Sequence, residues 1–257
     1  MRGLVIELQV IYALVLRETK TRFGAHRLGY VWALLEPIIW IATFGAMYYF
    51  LGRLAPPGMG VVEFLVTGIV PFLLFRSLAT RLTAAVDSNR GLLFYPRVRP
   101  LDVVAARAVL EFATHMVVFV LLMGGTALVN GRLTLDQPLE VLAGLALAGG
   151  LGASLGLSFC AASVYSNVAE RLLGPVLMRP LFWMSGIFYS VEALPSAARN
   201  VLLYNPVLHV IDLIRGGVFP GYEARHVNAW YPLGWVLVLS FLGLTMERAA
   251  RRRLQLT

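Results

Sequence analysis

The stretch VLLYNPVLHVIDLIRGGV, Val201 to Val218, decides whether this chain is read as crossing a bilayer six times or seven. A hydropathy window scores it as a span. Yet Asn205 and Pro206 break it, His209, Asp212 and Arg215 interrupt it, and Gly216 and Gly217 end it. Proline inside a helix removes a hydrogen bond and clashes with the preceding turn, and ionisable groups are costly in hydrocarbon. Two short re-entrant or interfacial helices fit the stretch better than a span, because irregular backbone at membrane depth is tolerated only where protein or water covers it.

On either side of this stretch the chain is strongly apolar. Hydrophobic residues make up 58% of its 257 and charged residues 14%, where a soluble domain is about half apolar and about a quarter charged. A crossing helix needs about 20 mostly apolar residues. Runs of that kind lie near Val31 to Leu51, Val62 to Val86, Val103 to Val129, Leu139 to Val164, Val176 to Ser190 with its flanks, and Ala229 to Met246. The expected fold is all-α: a polytopic membrane protein of six transmembrane helices in a single domain, 1–257. Residues 1–27 put Leu4, Leu8, Ile11, Tyr12 and Val15 on one face and form an N-terminal amphipathic cytoplasmic helix, either lying at the interface or packed under the bundle. Residues 88–102 form a cytoplasmic connection, and residues 191–227 hold short periplasmic helices. Met1 to Lys20 lacks the pattern of a cleaved signal peptide and is expected to stay on the mature protein.

The net charge of +8 points to topology rather than to nucleic acid, since Lys20 is the only lysine and the arginines sit beside the spans. With both termini cytoplasmic, the inside carries Arg2, Arg17, Lys20, Arg22, Arg27, Arg90, Arg97, Arg99, Arg171, Arg248 and Arg251 to Arg253. The outside carries only Arg53, Arg132, Arg199, Arg215 and Arg225. A seventh span would carry the arginine-rich tail outside, against the positive-inside tendency.

Several residues are candidates for chemistry. Arg76 and Arg81 interrupt the apolar PFLLFRSLATRL, and an arginine at mid-bilayer costs at least about 2.5 kcal/mol, so each must face protein or water. They are substrate-pathway candidates; pairing with Glu36, Glu63 or Glu111, or snorkelling to an interface, is the alternative. Trp40 and Phe44 lie deeper than the interfacial aromatic belt, where sugar rings can stack on them, and Glu36 before Pro37 marks a bend at the cytoplasmic entrance. Arg107, Glu111 and His115 align on one face of the third span, as an internally paired stripe or a proton relay. Gly144, Ala148, Gly152 and Gly156 form a small-residue packing seam. Ser154 sits in a literal G-x-S-x-G, but mid-helix, without the strand-to-helix elbow a hydrolase needs. No G-x-x-x-x-G-K-[ST] loop is present, so no ATP site is expected on this chain. No catalytic residue and no metal site are expected; the lone Cys160 has no partner at ligand spacing.

Two segments carry a family resemblance. TRFGAHRLGYVWALLEPIIW, Thr21 to Trp40, resembles the start of ABC-2 exporter permeases, and LYNPVLHVIDLIRGGVFPGY, Leu203 to Tyr222, is similar to the segment before the last span in permeases that export capsular polysaccharide. The resemblance implies a homodimer in the bacterial inner membrane, joined to two separate ABC ATPase subunits that bind ATP and Mg. It implies a lipid-linked acidic polysaccharide as cargo, with a periplasmic adaptor and an outer-membrane exporter beyond. ATPase coupling then maps to Arg17, Lys20 and Arg22 and to Asn89, Arg90, Tyr95, Pro96 and Arg97. The alternatives are an exporter of another glycan, such as O-antigen or teichoic acid, and an ion-coupled secondary transporter working through Glu111 and His115.

Overall fold

The computed structural model describes residues 2–23, 28–52, 55–56, 58–92, 94–95, 98–132, 134–166, 168, 171 and 173–254, with backbone alone for 2–6, 21–23, 28–30 and 251–254. Among the described residues, five helices are long and apolar enough to cross a bilayer, or six if the bent pair Ser196–Leu202 and Pro206–Val218 is counted as one. The chain begins with α1 (Arg2–Phe23), then α2 (Leu28–Phe50) and α3 (Val61–Thr83). A connection over 84–99 contains a 3-10 turn at Asp87–Leu92 and leads to α4 (Pro100–Asn130) and α5 (Pro138–Ser163). A π-helical turn, Leu173–Met178, then runs into α6 (Arg179–Met184), followed by α7 (Ser196–Leu202), α8 (Pro206–Val218) and α9 (Trp230–Leu254).

Packing ranks these helices. In α3, 78% of the apolar window is buried inside the protein, against 17% in each of α2, α4 and α9. Helix α3 is therefore the core, with α5, α4, α2 and α8 laid around it, while the outer helices turn apolar faces away. Leu121, Leu128, Val129, Leu237, Val238 and Phe241 are exposed large hydrophobics that water would not tolerate in such numbers. A helix apolar all round belongs in protein or lipid.

The glycine seam of α5 makes the core possible. A Cβ on Gly152 would lie 2.5 Å from the carbonyl oxygen of Phe75, one on Gly156 2.8 Å from that of Leu78, and one on Gly144 2.4 Å from the Ile214 side chain. So α5 meets α3 backbone to backbone, and α8 drops onto its other end. Gly152→Ala is expected to destabilise by about 1–3 kcal/mol through overpacking. Gly124→Ala on α4, with nothing within 4 Å of the added carbon, is expected to be neutral; thermal unfolding in detergent compares the two.

Local signals set the breaks. Pro100 opens α4, whose first turn is closed by the Asp102 carboxylate accepting the Arg99 N–H at 2.8 Å. Gly131, at φ 67°, ends the same helix in the left-handed region. Residues expected in a loop up to Asp102 thus already belong to α4, because proline is at home in a first turn. Around Val201 to Val218 the chain divides as Asn205 and Pro206 require. Asn205 caps α8 by accepting the Val207 N–H at 3.0 Å, and α7 and α8 meet at 108°. Helix α8 has 13 residues, about 20 Å at 1.5 Å per residue, too short to cross.

One expected span ends early. Val176 to Ser190 was to be helical throughout, but α6 stops at Met184, and Gly186 at φ 74° turns the chain back. The carbonyls that would continue the helix are bound by side chains from elsewhere in the fold. Arg215, counted from sequence only among the arginines on the outer side, is fully buried and supplies most of those bonds.

Candidate functional site

Between α2, α3 and α6 lies a groove of about 470 Å³ lined by Trp40, Phe72, Arg76, Thr80, Arg179, Phe182 and Trp183, with Gly174, Pro175 and Met178 at its edge. Helical spacing puts Glu36, Trp40 and Phe44 on one face of α2, and Phe72 and Arg76 on one face of α3. Trp40 and Phe44 stack with ring centroids 5.7 Å apart, and Phe182 stands 5.3 Å from Trp40 and 5.3 Å from Phe72. Phe188 extends this aromatic strip, its ring 4.1 Å from Phe44 and 5.4 Å from Trp183. Arg76 pairs with Glu36 across the groove, the two side chains 34% and 39% exposed, so the charges remain within reach of a ligand. A wall of aromatic rings beside two guanidinium groups can stack sugar rings and attract acidic ones.

The two arginines of α3 are divided. Five residues at 100° each separate them by about 140° around the helix, so Arg76 faces α2 while Arg81 faces α4. Arg81 pairs with Glu111 at 3.2 Å and donates to Ser77 Oγ at 3.1 Å, away from the groove. Ser77 in turn donates to Glu111 at 2.8 Å. The expected stripe on α4 is therefore drawn mainly to its neighbours. Arg107 donates to Glu18 of α1 at 2.9 Å and to the Arg81 carbonyl at 3.1 Å, while His115 meets the Glu111 carbonyl of its own helix at 2.9 Å. Ser154 donates to the Leu151 carbonyl within α5 at 3.1 Å.

The residues expected to couple to an ATPase lie along α1 and the 84–99 connection that follows α3. Arg17 on α1 donates to Asn89 at 3.3 Å, and buried Asn89 donates on to the Ala85 carbonyl at 3.1 Å. Arg90 pairs with Asp87 at 3.0 Å, Lys20 is exposed, and Phe94 and Tyr95 stand out at 88% and 63% exposure. Arg22 lies on α1 with its side chain outside the described residues, as Pro96 and Arg97 are altogether. The Arg17–Asn89 and Glu18–Arg107 contacts bind α1, the 84–99 connection and α4 into one unit.

Sequence reasoning passed over Phe72, Arg179 and Phe182 as groove residues. Phe182 and Trp183 form an aromatic doublet, which is a signal; nothing local says that α6 stands beside α2.

A bundle of long apolar helices with a re-entrant pair and a charged, aromatic-walled groove defines a multi-pass membrane transport protein. The chain belongs to the ABC-2 type transporter family, which matches residues 9–219. It is 32% identical over 246 residues to the polysialic acid transport protein KpsM of Escherichia coli, covering 96% of this chain and 95% of that one. It is 28% identical over 250 residues to the capsule polysaccharide export inner-membrane protein BexB of Haemophilus influenzae, covering 96% and 93%. It is also 26% identical over 253 residues to the O-antigen export system permease protein RfbA of Klebsiella pneumoniae, covering 92% and 90%.

Proposed function

We propose that this chain is the membrane permease of an ATP-driven exporter that moves lipid-linked capsular polysaccharide from cytoplasm to periplasm through the inner membrane. The reading is carried by one observation: a groove pairing stacked aromatics with Arg76 and Arg179, in a chain similar along nearly its whole length to capsule polysaccharide exporters. Trp40, Phe182 and Trp183 would stack the sugar rings, with Phe44, buried behind them, only supporting Trp40; Arg76 would hold an acidic group, and Glu36 would restrain Arg76 between passing residues. Arg81, held by Glu111, would shape α3 rather than touch cargo.

The chain would work as a homodimer with a separate ABC ATPase, the ATP and Mg held there, and would hand its cargo to a periplasmic adaptor and an outer-membrane exporter. Both termini would face the cytoplasm, which puts α1, Lys20, Arg22 and the Asn89 to Arg97 segment against the ATPase. The Arg17–Asn89 bond and the Glu18–Arg107 pair then pass its motion into α4. Export of another glycan is the second reading, supported by the similarity to RfbA.

Purification from the native host in mild detergent tests this. An ATPase is expected to co-purify in equal copies, and Arg90→Glu with Arg97→Glu is expected to lower export more than tenfold at unchanged permease level. A permease that runs alone, with no ATPase in the membrane fraction, would reject the exporter. Loss of surface O-antigen rather than capsule on deletion would favour the second reading.

A further inference from the structure

The turn Gly186 to Tyr189 has an unusual set of partners. Arg215 of α8 donates to the carbonyls of Gly186 at 2.7 Å, Ile187 at 3.0 Å and Tyr189 at 3.0 Å, and Tyr48 of α2 donates its hydroxyl to that of Phe188 at 2.6 Å. Four consecutive carbonyls are thus held by two side chains arriving from two different helices. Below the turn, α3 comes so close that a Cβ on Gly68 would lie 2.9 Å from the Ile187 oxygen. The Arg215 guanidinium is itself fixed 3.8 Å above the Phe64 ring.

The place that is held matters as much as the holding. On one side of the turn lies the aromatic groove of Trp40, Phe182 and Trp183. On the other lies a larger cavity of about 710 Å³, lined by Tyr48, Phe188, Tyr189, Glu192, Tyr222 and Glu223. Phe188 stands between them: it lines the larger cavity, and its ring packs on Phe182 and Trp183 of the groove wall and on Phe44. We infer that Phe188 is the barrier between the two cavities, and that Tyr48 and Arg215 are positioning residues that keep it shut. This rests on the reading of the groove as the cargo path.

The two holders differ in strength. Arg215 is fully buried on a packed helix and makes three bonds, whereas Tyr48 makes one from α2, whose apolar window is only 17% buried. A shift of α2 therefore breaks the Tyr48 bond and separates Phe44 from Phe188, while the Arg215 bonds keep the turn folded. The barrier is built to open from the α2 side, because the less packed of its two holders moves at the lower cost.

Thiol labelling tests the barrier in the assembled exporter. In a Cys160→Ser background, Thr80→Cys places a half-buried thiol in the groove, and a membrane-impermeant maleimide is added to resting spheroplasts. The thiol is expected to stay unlabelled with Tyr48 and Phe188 intact, to label about tenfold faster after Tyr48→Phe, which keeps the ring and loses one hydrogen bond, and at least a hundredfold faster after Phe188→Ala. Glu223→Cys in the larger cavity is expected to label in every background. Equal labelling of Thr80→Cys with and without these changes would overturn the barrier, as would a silent Glu223→Cys, which would mean that the larger cavity is closed to that side. If labelling stays under Phe188 control while Trp40→Ala and Arg76→Glu export normally, the barrier stands and the cargo-path reading falls.

Discussion

Arg76→Glu is expected to lower polysaccharide export more than tenfold while the permease stays folded and bound to its ATPase. The stability side follows from exposure. Arg76 and Glu36 are each about one-third exposed, and a pair open to solvent is worth about 0–1 kcal/mol, so the reversal costs little folding free energy. The transport side follows from position: residue 76 projects into a groove where the rings of Trp40, Phe72 and Phe182 leave a guanidinium as the main charged contact beside Arg179. Two carboxylates there would repel an acidic sugar. The swap Glu36→Arg with Arg76→Glu separates the explanations, because it rebuilds the pair but moves the cation to α2. Export should remain below one-tenth in the swap, measured as surface capsule against permease level. Full recovery would mean that Arg76 serves only as the partner of Glu36.

Much of this architecture is legible from run length alone. Val62 to Val86, Val103 to Val129 and Leu139 to Val164 are long, apolar and bounded by polar turns, and each became a helix with ends shifted by only a few residues. The break at Asn205 and Pro206 was legible because capping and the missing proline N–H are local chemistry. The split between Arg76 and Arg81 was half legible: a spacing of five residues forces them apart, but which one meets the groove depends on neighbours contributed by α2 and α4. The early end of α6 was half legible: Gly186 just past it is a local stop signal, but the partner that holds the turn, Arg215, is separated from Gly186 by 29 residues, and a sequence pattern read locally has no term for it. For the same reason nothing local says that Arg215 is buried whole, with three carbonyls of a distant turn as acceptors.

That burial leads to the largest expected loss of stability. Arg215→Met, which keeps the length of the side chain and removes its donors, is expected to lower the unfolding midpoint in detergent by about 10 °C or to prevent accumulation in the membrane. The Gly186 and Ile187 carbonyls would lose the guanidinium in the buried core and that of Tyr189 beside the larger cavity, at about 1–3 kcal/mol for each group left unpaired. A total near 3 kcal/mol or more, at roughly 2–4 °C per kcal/mol for a chain of this size, gives that shift. Arg215→Lys should be nearly as damaging, because an ammonium is a point donor and cannot reach three carbonyls with one planar fork. Tyr222→Phe, which removes the 2.5 Å bond from its hydroxyl to Asp212, is expected to lower the midpoint less, since it leaves the turn itself intact. The ranking Arg215→Met, then Arg215→Lys, then Tyr222→Phe is what a clamp on the Gly186 to Tyr189 turn requires. A lysine variant as stable as the parent would show that the charge above Phe64, and not the three carbonyl bonds, is what fixes this part of the fold.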